Sequence, residues 1–259
     1  MIRTMKTFSV MELFCSPGDV VLDVGANIGA ISRKASRIVG TEGAVFAFEP
    51  LPLLWPKFTK YVSGCENVEL IPVALSDKTG IEYLRSHDDH LAGGSLASTG
   101  LRPDNWHDIE VTTERLDNFC QSRAIIPNFL KIDVEGAEDK VLRGGRSTIE
   151  RYRPPMILEI HTGRWLAAPY YLEWLGYSLY LIHMNICLGV SWKTDSRLEV
   201  TKVMNITAEQ LHLSRIKGGP MVLDYLAIPY DNRRIRCLLS DQSGYEHLMK
   251  CFDLVKSNN

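Results

Sequence analysis

The stretch that most constrains this chain is PGDVVLDVGANIG, from Pro17 to Gly29. Val20, Val21 and Leu22 form a short apolar run of β-branched character, the pattern of a strand covered on both faces. The run ends at Asp23 and gives way to a loop with glycines at Gly25 and Gly29. Ile31, Ala35, Ile38 and Val39 then recur at helical spacing, and Gly40 stands where a helix C-cap belongs. A strand, a tight glycine turn and a helix together present backbone N–H groups and the positive end of a helix to a ligand. Further strands are expected beside this one.

Those strands are legible in order. Residues 44–48 (AVFAF) predict a second buried strand, ending at Glu49 and Pro50, and residues 68–75 (VELIPVAL) a third. A helix covers part of 51–62, its start obscured by Pro52 and Pro56. After an SDKTG turn, IEYLRS alternates as an edge strand or hairpin arm. Residues 87–105 carry glycines, serines and charges without periodicity and predict a long functional loop. A short strand at 109–113 and a helix near 116–122 follow. Residues 129–134 (FLKIDV) predict the fourth core strand, then a helix from Ala137 with Glu138 and Asp139 at its positive end. Residues 156–160 (MILEI) predict the fifth, ending at His161. A helix with Trp165, Tyr171, Leu172 and Leu175 leads to final strands at 178–182 and 222–228.

This alternation predicts an α/β fold: a doubly wound, mostly parallel seven-stranded sheet with an antiparallel C-terminal hairpin. A single domain over residues 1–259 is expected. Residues 1–16 form an arm or helix, 17–162 the ligand-binding core, and 163–259 the C-terminal strands and acceptor-side elements. A chain of 259 residues is long enough to bury such a core. Its net charge of -2 lacks the basic excess of a nucleic-acid or membrane-surface binder, so neither partner is expected. Six cysteines (Cys15, Cys65, Cys120, Cys187, Cys237, Cys251) are scattered without a CxxC pair, which favours a reducing compartment over a disulfide framework or zinc site. The N-terminus lacks a continuous apolar stretch of signal-peptide type, and 176–192, broken by His183 and Asn185, is too short to span a bilayer. A soluble, cytoplasmic protein is expected; nothing in the sequence fixes its oligomeric state.

In such a sheet, ligands bind outside the carboxyl ends of the strands. Asp23, Glu49, Ser76, Asp133, Glu135 and His161 recur at successive strand ends. Any one of them alone could be a cap or turn residue; their repetition points to a site. Glu49, about 20 residues past the glycine loop, suits hydrogen bonds to ribose hydroxyls. The loop reads G-A-N-I-G, without the second glycine of a dinucleotide fingerprint, and Asp23 would repel a diphosphate and welcome a cation. An NAD-dependent oxidoreductase is thereby disfavoured. A ligand with a ribose, an ammonium group and no phosphate fits these residues, and S-adenosylmethionine is such a ligand.

At this point the residues match a family. PGDVVLDVGANIG, FEP, VALSD, GGSL, LKIDVEGAE and ILEIH fall in order over roughly residues 14–162, and together they resemble the FkbM-type S-adenosylmethionine-dependent methyltransferases. The resemblance implies a Rossmann-like class I methyltransferase fold that methylates a hydroxyl oxygen of a small molecule, sugar or natural product. The alternatives are N-methylation and a non-catalytic cofactor-binding scaffold. It implies that Asp23, Gly25, Asn27 and Gly29 line the methionine end of the cofactor. Glu49 takes the ribose, Ala74, Leu75 and Ser76 border the adenine, and Asp133 faces the cofactor ammonium or the acceptor.

A hydroxyl is a poor nucleophile until its proton begins to leave, and His161 is the expected base, with Asp133 or Glu135 as the alternative. Glu135 has a rival role as cap of the following helix. A less favoured possibility is a divalent cation on Asp133, Glu159 and His161; strand alternation puts the last two on one face. The HDDH run at 87–90 reads as solvated loop, and the adjacent GGSL as part of a lid.

Overall fold

β1 (Val20–Val24) and β2 (Ala44–Phe48) pair in parallel, and β3 (Val68–Ile71) continues the same sheet. The computed structural model describes residues 8, 10–87, 90–95, 106–161, 167–186, 221–229 and 231, with side chains at 8, 10–85, 108–160, 167–179, 224–229 and 231. After β3 the chain leaves the sheet. β4 (Ala74–Leu75), β5 (Gly80–His87), β6 (His90–Ser95) and β7 (Trp106–Glu114) form a second, four-stranded sheet in the order β4-β7-β5-β6. It then returns to the free side of β1 with β8 (Phe129–Ile132), followed in parallel by β9 (Met156–His161). β10 (Tyr177–Ile186) and β11 (Met221–Pro229) are antiparallel, and β11 inserts between β9 and β10. The seven-stranded order is therefore β10-β11-β9-β8-β1-β2-β3. Strand order reverses at β1, so the loops after β1 and β8 diverge and leave a crevice.

Both faces are covered, as the apolar runs predict. On one face Leu22, Leu130, Ile132, Leu158 and Tyr225 pack against four helices. These are α3 (Leu116–Ser122), α4 (Glu138–Gly144), α5 (Arg146–Tyr152) and α6 (Ala167–Trp174), which follow α1 (Ala30–Val39) and α2 (Trp55–Tyr61) in the chain. On the other face Val21, Phe129, Ile157 and Leu226 pack against α1 and residues 10–15. Three expectations are corrected. VELIPVAL is two strands, because Pro72 has no N–H to donate and β4 turns into the second sheet. The helix expected from Ala137 is a pair, α4 and α5, divided at Gly145, where a Cβ would press on the Leu116 side chain. Residues 90–95, read as loop, form β6, so the Gly93-Gly94-Ser95 of the expected lid lies in a strand; 88–89 and 96–105 lie outside the described residues.

Glu82 ties the second sheet to the first. Its buried carboxylate meets the ammonium groups of Lys78 and Lys140, each at 3.1 Å, and Lys140 lies on α4. Cys15, Cys65 and Cys120 are free thiols, and burial pushes the Cys120 thiol up to about 12, which makes it unreactive. Among the described residues no helix is long and apolar enough to cross a membrane.

Candidate active site

A cavity of about 370 Å³ opens at the reversal point. Its wall is assembled from the carboxyl ends of β1, β2 and β8, the chain around β4, and inward-facing residues of β9 and β11. Gly25 lets the first loop close on β8: its φ is +79°, and a Cβ there would overlap the Asp133 backbone carbonyl. Asn27, also left-handed at φ 52°, aims its N–H at Glu49. The two Glu49 oxygens accept from Asn27 N at 2.8 Å and Leu51 N at 2.9 Å, which fixes the carboxylate at the wall although only 5% of the residue is exposed. A carboxylate has about four acceptor directions. Glu49 held this way still has capacity for the hydroxyls of a ribose, and Ala74 and Leu75 supply an apolar wall. These features fit an adenosyl ligand.

Burial pushes the Glu49 carboxyl above its ordinary range, and the bonds from Leu51 and Asn27 hold it back only in part. Burial does the same to Asp23, against the opposing pull of Lys131 and Ser32. Two opposite pH effects follow. For each acid the folded pKa exceeds the unfolded one, so its contribution to stability falls as pH rises through that window. Ligand binding at Glu49 needs acceptor oxygens, so affinity falls as pH drops into the same window. Calorimetric titration over the range above ordinary carboxylate values should show affinity rising with pH while thermal melts show stability falling, and Glu49→Gln should flatten the first dependence.

The structure divides the expected site residues. Gly25, Asn27, Glu49, Ala74, Leu75, Asp133, Glu135 and Glu159 stand on the wall; Asp23, Gly29 and Ser76 do not. Asp23 is fully enclosed beneath the loop. Its Oδ2 accepts from Ser32 Oγ at 2.5 Å, while Oδ1 lies 3.7 Å from Lys131 Nζ. Gly29 packs toward Phe58 and Val62, and Ser76 is buried 3.4 Å from Glu82 Oε1. Glu135 sits at φ 56°, a strained conformation for a residue with a Cβ, and reaches the wall. The N-cap position of α4 is Ala137, without a side-chain cap, and Glu138 Oε1 accepts from Gly136 N at 3.0 Å and Val134 N at 3.3 Å in the turn before the helix. His161 closes β9, its backbone opposite Val222; its side chain lies outside those described. Asp133, Glu135 and Glu159 bring carboxylate oxygens within 4.8 Å of one another among the described residues.

Two wall residues escaped the sequence reading. Lys131 lies in the middle of β8, in register with Asp23, and its Nζ is 3.1 Å from Gly25 O and 3.3 Å from Asp133 Oδ2. Asp224 lies on β11 directly across from Glu159, both 5% exposed. The signal for Lys131 was available: a lysine inside FLKI interrupts an otherwise apolar strand, and a buried ammonium requires carboxylate partners. Asp224 inside VLDYLAI carries the same signal, but its partner Glu159 was not legible, because that pairing depends on β11 entering the sheet beside β9.

The match to known proteins agrees with this geometry. Residues 23–181 fit the model of the methyltransferase FkbM domain, well over half of the chain. The chain belongs to the FkbM methyltransferase family. It is 28% identical over 157 residues to the 2-O-methyltransferase NoeI of Sinorhizobium fredii, covering 56% of this chain and 64% of that protein. It is 31% identical over 156 residues to the 31-O-demethyl-FK506 methyltransferase FkbM of Streptomyces tacrolimicus, covering 49% and 60%. The chain thus spans about three-fifths of each of these relatives. An FkbM methyltransferase structure from Methylobacillus flagellatus superposes with a TM-score of 0.43 at 15% identity, covering 63% of this chain and 39% of that one. The seven-stranded, mostly parallel sheet is the class I methyltransferase fold.

Proposed function

We propose that this FkbM-family protein is an S-adenosylmethionine-dependent methyltransferase acting on a hydroxyl oxygen of a small, sugar-like or natural-product acceptor. The observation that carries the reading is the Glu49 carboxylate, fixed by two backbone N–H groups at the wall of a cavity beside a loop without the dinucleotide fingerprint. When bound, the cofactor supplies a methyl group already activated on a sulfonium. The protein's part is then to bind, align and exclude water. Glu49 holds the ribose, Gly25 and Asn27 shape the loop over the methionine end, and Ala74 and Leu75 border the adenine. The relatives' names, a 2-O- and a 31-O-directed enzyme, support oxygen as the acceptor atom.

Glu135 and Glu159, beside Asp133, form the acceptor side, with His161 as the group that takes the hydroxyl proton. The Lys131 ammonium, rather than a divalent cation, offsets the negative charge there. Labelled-cofactor turnover with a panel of hydroxylated acceptors, with and without chelator, tests this reading. Transfer to oxygen that survives chelation supports it. Normal S-adenosylhomocysteine binding with no transfer to any acceptor indicates a scaffold instead. His161→Ala is expected to lower kcat about 100-fold or more while cofactor affinity changes less than about twofold, measured by the same assay and by calorimetry. Unchanged turnover across pH would remove His161 from the chemistry.

A further inference from the structure

Among the described residues on the cavity wall, Lys131 is the one basic side chain; the carboxylates there are Glu49, Asp133, Glu135, Glu159 and Asp224. A lysine inside a four-residue strand buried throughout is costly unless its charge is matched. Pairing with the enclosed Asp23 would satisfy that need deep in the sheet. Yet the contacts of Nζ extend to the wall, to Gly25 O at 3.1 Å and Asp133 Oδ2 at 3.3 Å, with Asp23 Oδ1 farther away at 3.7 Å. The result is an ammonium and a carboxylate side by side at the glycine loop.

The amino-acid end of the cofactor carries the complementary pair, an α-ammonium and an α-carboxylate on one carbon. Its ammonium finds abundant partners in this cavity. Its carboxylate faces repulsion from every charged side chain on the described wall except one. We propose that Lys131 receives the α-carboxylate of the bound cofactor while Asp133 takes the α-ammonium. Lys131 thereby selects ligands that retain the carboxyl group. This assignment rests on the reading of the site as a cofactor pocket.

The test uses calorimetry with three ligands: S-adenosylhomocysteine, its decarboxylated aminopropyl analogue, and 5′-methylthioadenosine, which lacks the whole amino-acid end. The parent should prefer S-adenosylhomocysteine over the decarboxylated analogue by roughly 10- to 100-fold, the range for a charge-assisted hydrogen bond. Lys131→Met should erase that preference, weakening S-adenosylhomocysteine by the same factor. Its affinity for the analogue should hold or improve, and that for 5′-methylthioadenosine should stay within about threefold. Lys131→Arg should retain most of the preference. Equal losses for all three ligands in a folded Lys131→Met would reduce Lys131 to a structural partner of Asp23 and overturn the assignment. So would a parent that does not discriminate between the first two, a comparison that stands even if the variant fails to fold. A parent that binds none of the three overturns the cofactor reading itself, a separate outcome.

Discussion

Gly25→Ala is expected to abolish measurable cofactor binding and to destabilise the fold by at least about 3 kcal/mol. Two costs combine. A residue with a Cβ held at φ +79° loses roughly 1–2 kcal/mol to left-handed strain. The larger part comes from the overlap with the Asp133 backbone carbonyl, which belongs to the end of a central strand and cannot swing aside like a side chain. Either the loop lifts or β1 and β8 part, and both outcomes displace Asn27 from Glu49. Gly18→Ala separates the two costs, since Gly18 has a similar φ of +87° but nothing within 4 Å of an added Cβ. It should lose only the conformational part, about 1 kcal/mol, with binding intact. Similar denaturant midpoints for the two variants would refute the close-approach account.

Glu49→Ala should weaken S-adenosylhomocysteine by about 2–3 kcal/mol, roughly 30- to 150-fold in Kd. On the proposed reading the carboxylate accepts from the ribose, and it also fastens Asn27 and Leu51, so its removal loosens two segments of the wall. Thermal stability should fall modestly, because two backbone N–H groups lose their acceptor and relief of the carboxyl's desolvation offsets that loss only in part. Affinity within about twofold of the parent in a folded variant would take the ribose away from Glu49.

Most of the framework was legible because buried parallel strands advertise themselves: VVL, AVF, FLKI and MILEI each became a core strand at the expected place. The second sheet was legible only in part: IEYLRS and 109–113 were read as strands and lie in β5 and β7, but their union in a separate sheet was not foreseen. β5 and β7 are long but mix polar with apolar residues, β4 is two residues, and HLAGGS pairs only because β5 offers it an edge. At the cavity, loop and strand-end residues expected on the wall stand there: Gly25, Asn27, Glu49 and Asp133. Asp23 and Ser76 were misplaced by one layer, since a strand pattern shows that a residue lies at an end but not whether its side chain meets the cavity or the interior. Lys131 and Asp224 each interrupt an apolar strand and were open to notice, but the partners that place them on the wall are supplied only by the assembled sheet.

The place of β11 has a consequence for how the protein is made. On the ribosome, Met156–His161 emerges well before Met221–Pro229, yet the two become neighbours inside the sheet. A nascent chain can finish the glycine-loop half early, but it must carry an open hydrogen-bonding edge along β9 until the late strand closes a long loop, a slow and association-prone interval. Slowing translation beyond residue 161 should therefore lengthen the time that edge stays open.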